Sequence, residues 1–154
     1  MLKKLITLTF CIALVSSCVV RQLTANQISY VSEESAGMVK IHTTGLGSSL
    51  PEMEQDAQIK AFETLLYIGL PSASTETYRL PIVENKAEMQ GHPSIKKFFN
   101  NREYAQFVTR VDRLDFLKQR ASEGGRALNY NIVINYTALR RYMEQNEVIR
   151  KFGY

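Results

Sequence analysis

The sequence predicts an α+β domain, with a mainly antiparallel sheet, a long hairpin in its C-terminal half and helices packed on one face. Three runs carry that expectation. Residues 38–44, Met-Val-Lys-Ile-His-Thr-Thr, are rich in β-branched side chains and read as a strand. Met53, Ala57, Ala61, Leu65 and Ile68 recur at helical spacing, and Ile59, Phe62 and Leu66 widen the stripe. Leu128, Tyr130, Ile132, Ile134 and Tyr136 alternate with Asn129, Asn131, Val133 and Asn135, the pattern of a strand with one face toward a core and one toward water or a partner. Strands and helices in separate runs, rather than strict alternation, favour α+β over a parallel sheet.

The chain begins with a leader. Lys3 and Lys4 precede an apolar stretch over 5–15, which ends in the small residues Ser16 and Ser17. A positive start, a short apolar run and small residues at the end are the chemistry of a signal peptide. The run is too short for a membrane-spanning helix, which needs about 20 apolar residues. Leu14-Val15-Ser16-Ser17-Cys18 resembles the lipobox of bacterial lipoproteins, with Val15 where Leu is commonest. That resemblance implies cleavage before Cys18 and lipidation of Cys18, which would hold the protein on a membrane. One buried acyl chain binds reversibly, whereas two or more hold firmly. Cys11 follows bulky Phe10 and does not fit the motif. Val19 is not the Asp associated with inner-membrane retention, and no acidic cluster follows Cys18. The expected location is therefore the cell envelope, as an outer-membrane lipoprotein facing the periplasm.

The division expected is a signal peptide over 1–17, a lipid-anchored tether over 18–36 and one domain over 37–154. Removing 1–17 leaves 137 of the 154 residues, enough for a proper core without staples. Loss of Lys3 and Lys4 lowers the net charge from +4 to +2, so the basic balance is no nucleic-acid footprint. Cys18 is the one cysteine left, which precludes a disulfide within the mature chain. The tether is polar, with a short strand at 27–31.

Each element of the domain has a local reason. Gly45-Leu46-Gly47 ends the first strand as a tight turn. The helix after it starts with Ser49 and Glu52 spaced as a capping box. Glu52, Glu54 and Asp56 suit the positive end of its dipole and, with Glu63, form a solvated acidic set. Gly69 and Pro71 stop it. A long connection over 71–91 has room for a short strand at 79–83. Residues 93–100 read as a short helix with Ile95, Phe98 and Phe99 inward. A strand over 104–118 slips in its alternation near 109–113, which predicts a bulge. Gly124-Gly125 lie in the hairpin turn, and 128–136 is the return strand. A helix over 137–146 places Leu139, Tyr142 and Met143 inward. Val148, Ile149 and Phe152 pin the C-terminus.

No catalytic residue, metal ligand or cofactor is assigned. Gly45 and Gly47 make no nucleotide loop, because Leu50 stands where a dinucleotide fingerprint needs a third glycine and no Gly-Lys-Ser/Thr follows. His42, facing out of its strand, and His92, in a loop before Pro93, lack partners at metal-ligand spacing. Ser48 and Ser49 lack a nucleophile-elbow context. The candidate binding surface comprises Arg110 and Arg113 on the hairpin, the Asn129, Asn131 and Asn135 row, and Arg140 and Arg141 on the last helix. Asn disfavours strands, so three on one strand are unusual.

The domain also loosely resembles the N-terminal domain of the flagellar assembly protein T family and related small envelope lipoproteins. The motifs are Thr44-Gly45-Leu46-Gly47, then Asp56-Ala57 and Ala61, and Tyr136-Thr137-Ala138-Leu139-Arg140 through Val148-Ile149. The resemblance implies a non-catalytic envelope module. The resulting expectation is a binding or assembly role with an envelope protein partner, membrane contact through Cys18 and no nucleic acid. The rivals are an envelope-glycan hydrolase or lyase, and a small-ligand or glycan-binding module with a cleft lined by Tyr67 and Tyr78.

Overall fold

In the computed structural model the described residues are 29–35, 37–70, 80–85, 87, 90–114, 119–120 and 126–150. Helices and antiparallel strands build an α+β fold. In chain order the elements are β1 (Ser29–Ser35), β2 (Met38–Gly47), α1 (Leu50–Tyr67), α2 (Pro93–Asn100), a 3-10 turn (Glu103–Phe107), β3 (Val108–Arg113), β4 (Gln119–Arg120), β5 (Arg126–Asn135) and α3 (Tyr136–Gln145). The sheet runs β1-β2-β5-β3, and β4 pairs with β5 as well. Every pairing is antiparallel. The leader, Cys18, Tyr78, the 121–125 turn and Phe152 lie outside the described residues.

The centre of the sheet is β2 against β5, paired without a break from Met38↔Asn135 to Gly47↔Arg126. Alternation then decides the faces. Val39, Ile41, Thr43 and Gly45 stand opposite Ile134, Ile132, Tyr130 and Leu128, and all eight are buried on the helix side. α1 lies across them and contributes Met53, Ala57, Ala61, Phe62, Leu65 and Leu66 to the core. Ile68, read as the last residue of that stripe, is instead the helix cap and 58% exposed, because the helix ends before its turn can reach the sheet.

The glycines between β2 and α1 do not form a turn. The strand continues through Gly47. Neither Gly45 nor Gly47 has a left-handed backbone, unlike Gly37 and Gly69. A Cβ on Gly45 would stand 1.8 Å from the Met53 carbonyl oxygen, and one on Gly47 2.8 Å from Glu52 Cβ. These residues are small so that the first turns of α1 can press on the strand backbone. The capping box forms as read: Ser49 Oγ accepts from Glu52 N–H at 3.4 Å, and Glu52 Oε2 accepts from Ser49 N–H at 3.3 Å. Glu52 also takes the Ser48 amide and hydroxyl, at 2.8 and 2.5 Å. Those bonds hold the Glu52 carboxyl below its ordinary range.

Other elements depart from the reading. β1 pairs with β2 from Ser29↔His42 to Ser35↔Met38, so the folded body starts within the stretch assigned to the tether, ahead of residue 37. The short strand expected at 27–31 overlaps β1 from Ser29, and β1 runs on to Ser35, since an edge strand is held by backbone bonds and needs no apolar run. The 79–83 strand does not form in its described part. Ile82 and Val83 amides donate to the last carbonyls of α1, Leu65 at 3.1 Å and Leu66 at 2.9 Å, and cap the helix. The strand expected from 104 begins only at Val108. Tyr104 and Phe107 are both buried, and a spacing of three puts them on one side of a 3-10 turn but on opposite faces of a strand. The bulge falls between Val108 and Arg110.

Phe98 of α2 joins this layer together. Its ring lies 5.6 Å from Phe62, 5.2 Å from Phe99, 6.1 Å from Phe107 and 5.8 Å from Tyr142. Tyr142 of α3 donates to Glu103 at 2.5 Å, and Lys97 meets the same carboxylate at 3.2 Å. Burial, and then the Glu103 bond and charge, push the Tyr142 phenol up to about 12. Beyond α3, Val148 is buried and its amide donates to the Met143 carbonyl at 2.9 Å, which pins the chain after the helix.

Candidate functional site

The sheet face opposite the helices holds a polar ladder. Register places Lys40, His42 and Thr44 of β2 beside Val133, Asn131 and Asn129 of β5, with Arg110 and Asp112 of β3 on the far side of Val133 and Asn131. The polar side chains bind one another across the strands. Thr44 Oγ1 donates to Asn129 Oδ1 at 2.7 Å. His42 Nδ1 lies 3.2 Å from Asn131 Oδ1, and the imidazole tautomer with a proton on Nδ1 makes that a bond. Arg110 Nε donates to Asp112 Oδ2 at 2.9 Å, two residues away on the same face.

A buried apolar residue closes each end of the polar stretch on β5. Val133 is 3% and Ala127 1% exposed, although alternation directs both away from the helices. Val133 sits between Lys40 and Arg110, whose long stems can shield it while their charges reach water. The face is therefore ordered, mixed in charge and only partly open.

The structure divides the sequence-derived surface into three places. Asn129, Asn131 and Arg110 share the ladder. Arg113 stands opposite Tyr130, on the helix side of the sheet, so it does not join Arg110. Asn135, third of the Asn row, ends β5 and caps α3, its Oδ1 accepting from Ala138 N–H at 2.9 Å. That role explains the residue without a partner. Arg140 and Arg141 belong to α3, whose Leu139 and Met143 face the core. Arg140 pairs with Glu144 at 3.4 Å, and Arg141 is exposed.

His42 and Thr44 were missed as site residues, because strand alternation gives a facing direction but no cross-strand partner. His92, in the loop before Pro93, caps α2: its Nδ1 accepts from Ser94 N–H at 3.3 Å. Asp56 is not simply solvated either. Its Oδ2 accepts from Leu46 N–H at 2.7 Å and meets Lys60 at 2.6 Å, while Lys60 reaches the Thr44 carbonyl at 3.3 Å. Among the described residues β1 pairs with β2 as far as His42, and these two side chains satisfy backbone groups of β2 beyond it.

Among the described residues no group of three or more His, Cys, Asp or Glu is placed to hold a metal ion. No described helix is long and apolar enough to cross a membrane. Comparison with protein-family models, curated proteins and solved structures finds no match for this chain.

Proposed function

We propose that this protein is a cell-envelope lipoprotein, anchored through Cys18, whose domain binds another envelope protein through the helix-free face of its sheet. It acts by binding rather than by catalysis. The observation that carries this reading is the ladder of His42–Asn131, Thr44–Asn129 and Arg110–Asp112. Asn weakens strands, and a face that only met water would be served by threonine. Here two Asn side chains are locked by cross-strand partners. Groups held in place before contact lose little entropy on binding, which favours a specific polar interface. The leader, which resembles those of bacterial lipoproteins, supports the anchor, the envelope location and an orientation toward the periplasm on the outer membrane.

Two measurements test this. Cys18→Ala should abolish acyl labelling and cleavage of the leader, and normal labelling would refute the anchor. For the face, the full-length protein is crosslinked mildly in membranes and recovered with its partner. Asn131→Lys should remove a stoichiometric crosslink while leaving the melting temperature nearly unchanged, because it places an unpaired charge in the interface. Retention of that crosslink would move the contact to another surface.

A further inference from the structure

On the other side of the molecule an open cleft of about 510 Å³ lies between α1 and α2. That volume is within the range of small-ligand sites, about 300–1,000 Å³. Two partly buried aromatic rings, Tyr67 and Phe99, line it over an apolar floor that includes Ile59 and Ile95. Gln90 and Asn100, both exposed amide residues, line it too. Glu63 and Lys96 contribute one charge of each sign. Tyr67 lines it as expected, beside residues of α2 and Gln90 of the long connection; Tyr78 lies outside the described residues.

We propose that this cleft binds a neutral saccharide of one or two sugar units. A sugar ring offers an apolar C–H face to an aromatic ring and hydroxyls at its edge, each both donor and acceptor. The amides of Gln90 and Asn100 match that duality, since each carries an acceptor oxygen and a donor nitrogen. A purely apolar ligand would strip water from these groups and leave them unpaired. Glu63 and Lys96 balance in charge, so these lining residues give no net charge to select an ion.

A second feature holds one wall in place. Gln55, also at the cleft, accepts from the Arg102 guanidinium. Arg102 follows the Asn101 cap of α2 with a left-handed backbone, φ 56°, as Glu147 follows the Asn146 cap of α3 at φ 59°, a common way for a helix to end. The cleft lies in the helix layer, opposite the polar ladder, so the two readings stand or fall separately.

The test uses full-length protein in a sugar-free detergent, with N,N′-diacetylchitobiose and maltose as probes. Calorimetry should give a Kd of about 1 mM or tighter for at least one of them. Saturation-transfer NMR should mark its ring protons. Phe99→Leu keeps apolar bulk but removes the flat ring; Asn100→Ala changes an exposed residue at the end of α2. Each should weaken binding at least about tenfold with the melting temperature kept. If Phe99→Leu fails to fold, Asn100→Ala decides alone. The proposal is overturned if neither sugar binds, if the folded variants bind as the parent does, or if a tetra-alanine peptide binds more tightly than either sugar.

Discussion

Gly45→Ala puts the packing of α1 on β2 to a direct test. The added methyl would lie 1.8 Å from the Met53 carbonyl oxygen, 2.7 Å from its carbon and 3.0 Å from Ala57 Cβ. Non-bonded carbon contacts are comfortable at about 3.5–4.0 Å. Met53 O is backbone, so no rotamer change relieves the clash, and the helix must retreat by about 1.5 Å. A gap of only ~0.5–1 Å forfeits a quarter to a half of each dispersion contact. The retreat would loosen Met53, Ala57, Ala61 and Leu65 together, all at most 1% exposed. Overpacking costs about 1–3 kcal/mol and occasionally more. The backbone clash places this case at 3 kcal/mol or above on that scale. Typical stability is about 5–15 kcal/mol, and each kcal/mol shifts a domain between the 100- and 150-residue classes by roughly 3–5 °C. A fall in melting temperature of about 9 °C or more is expected, followed by far-UV circular dichroism of the full-length protein. The sign is decisive. Where nothing opposes the methyl and φ is ordinary, Gly→Ala stabilises by about 0.4–1 kcal/mol through the unfolded chain. An unchanged or raised melting temperature would refute the close contact of helix and strand.

Three further outcomes are expected. Thr43 is wholly buried and its hydroxyl has no partner among the described residues, so Thr43→Val, close in shape, should raise stability by about 1–3 kcal/mol, the usual penalty of an unmatched polar group; a lower urea midpoint would reveal a hidden partner. Ile132→Ala empties a fully buried site between Ile41 and Val111 and should cost about 2–5 kcal/mol by urea melts, whereas a loss below 1 kcal/mol on the same scale would contradict a tight core there. Tyr142 titrates at about 12 in the fold against 10.0 ordinarily, so the unfolded chain gives up its proton first as pH rises. Its contribution to stability is complete below pH 10 and is lost between 10 and 12. Tyrosinate absorbance should show a late-titrating group, and Glu103→Gln should bring its titration closer to 10; an unaltered titration in that variant would disprove the contact.

Much of the fold was legible because some elements declare themselves locally. β5 alternates with period two, and one buried face accounts for Leu128, Tyr130, Ile132 and Ile134. α1 names its own start, since Ser49 and Glu52 satisfy amides that no earlier turn can reach. Elements that draw their stability from elsewhere were legible only in part. A short strand was expected at 27–31, but β1 runs on to Ser35 because the backbone of β2 is there to pair with it. Tyr104 and Phe107 fit either a strand or a 3-10 turn in isolation, and the aromatic cluster around Phe98 selects the turn.

Local sequence was enough for the segregation of strands from helices, the cap of α1 and the inward face of β5. Each rests on residues within a few positions of one another, where spacing alone sets which groups can meet. Tertiary structure decided the rest. Gly45 is a contact glycine because Met53 passes over it, and Asn135 is a cap because α3 begins there. His42 and Asn131, 89 positions apart, share a bond only through the register of β2 and β5. Register and helix height are properties of packing between distant segments, and a linear pattern of residues does not encode them locally.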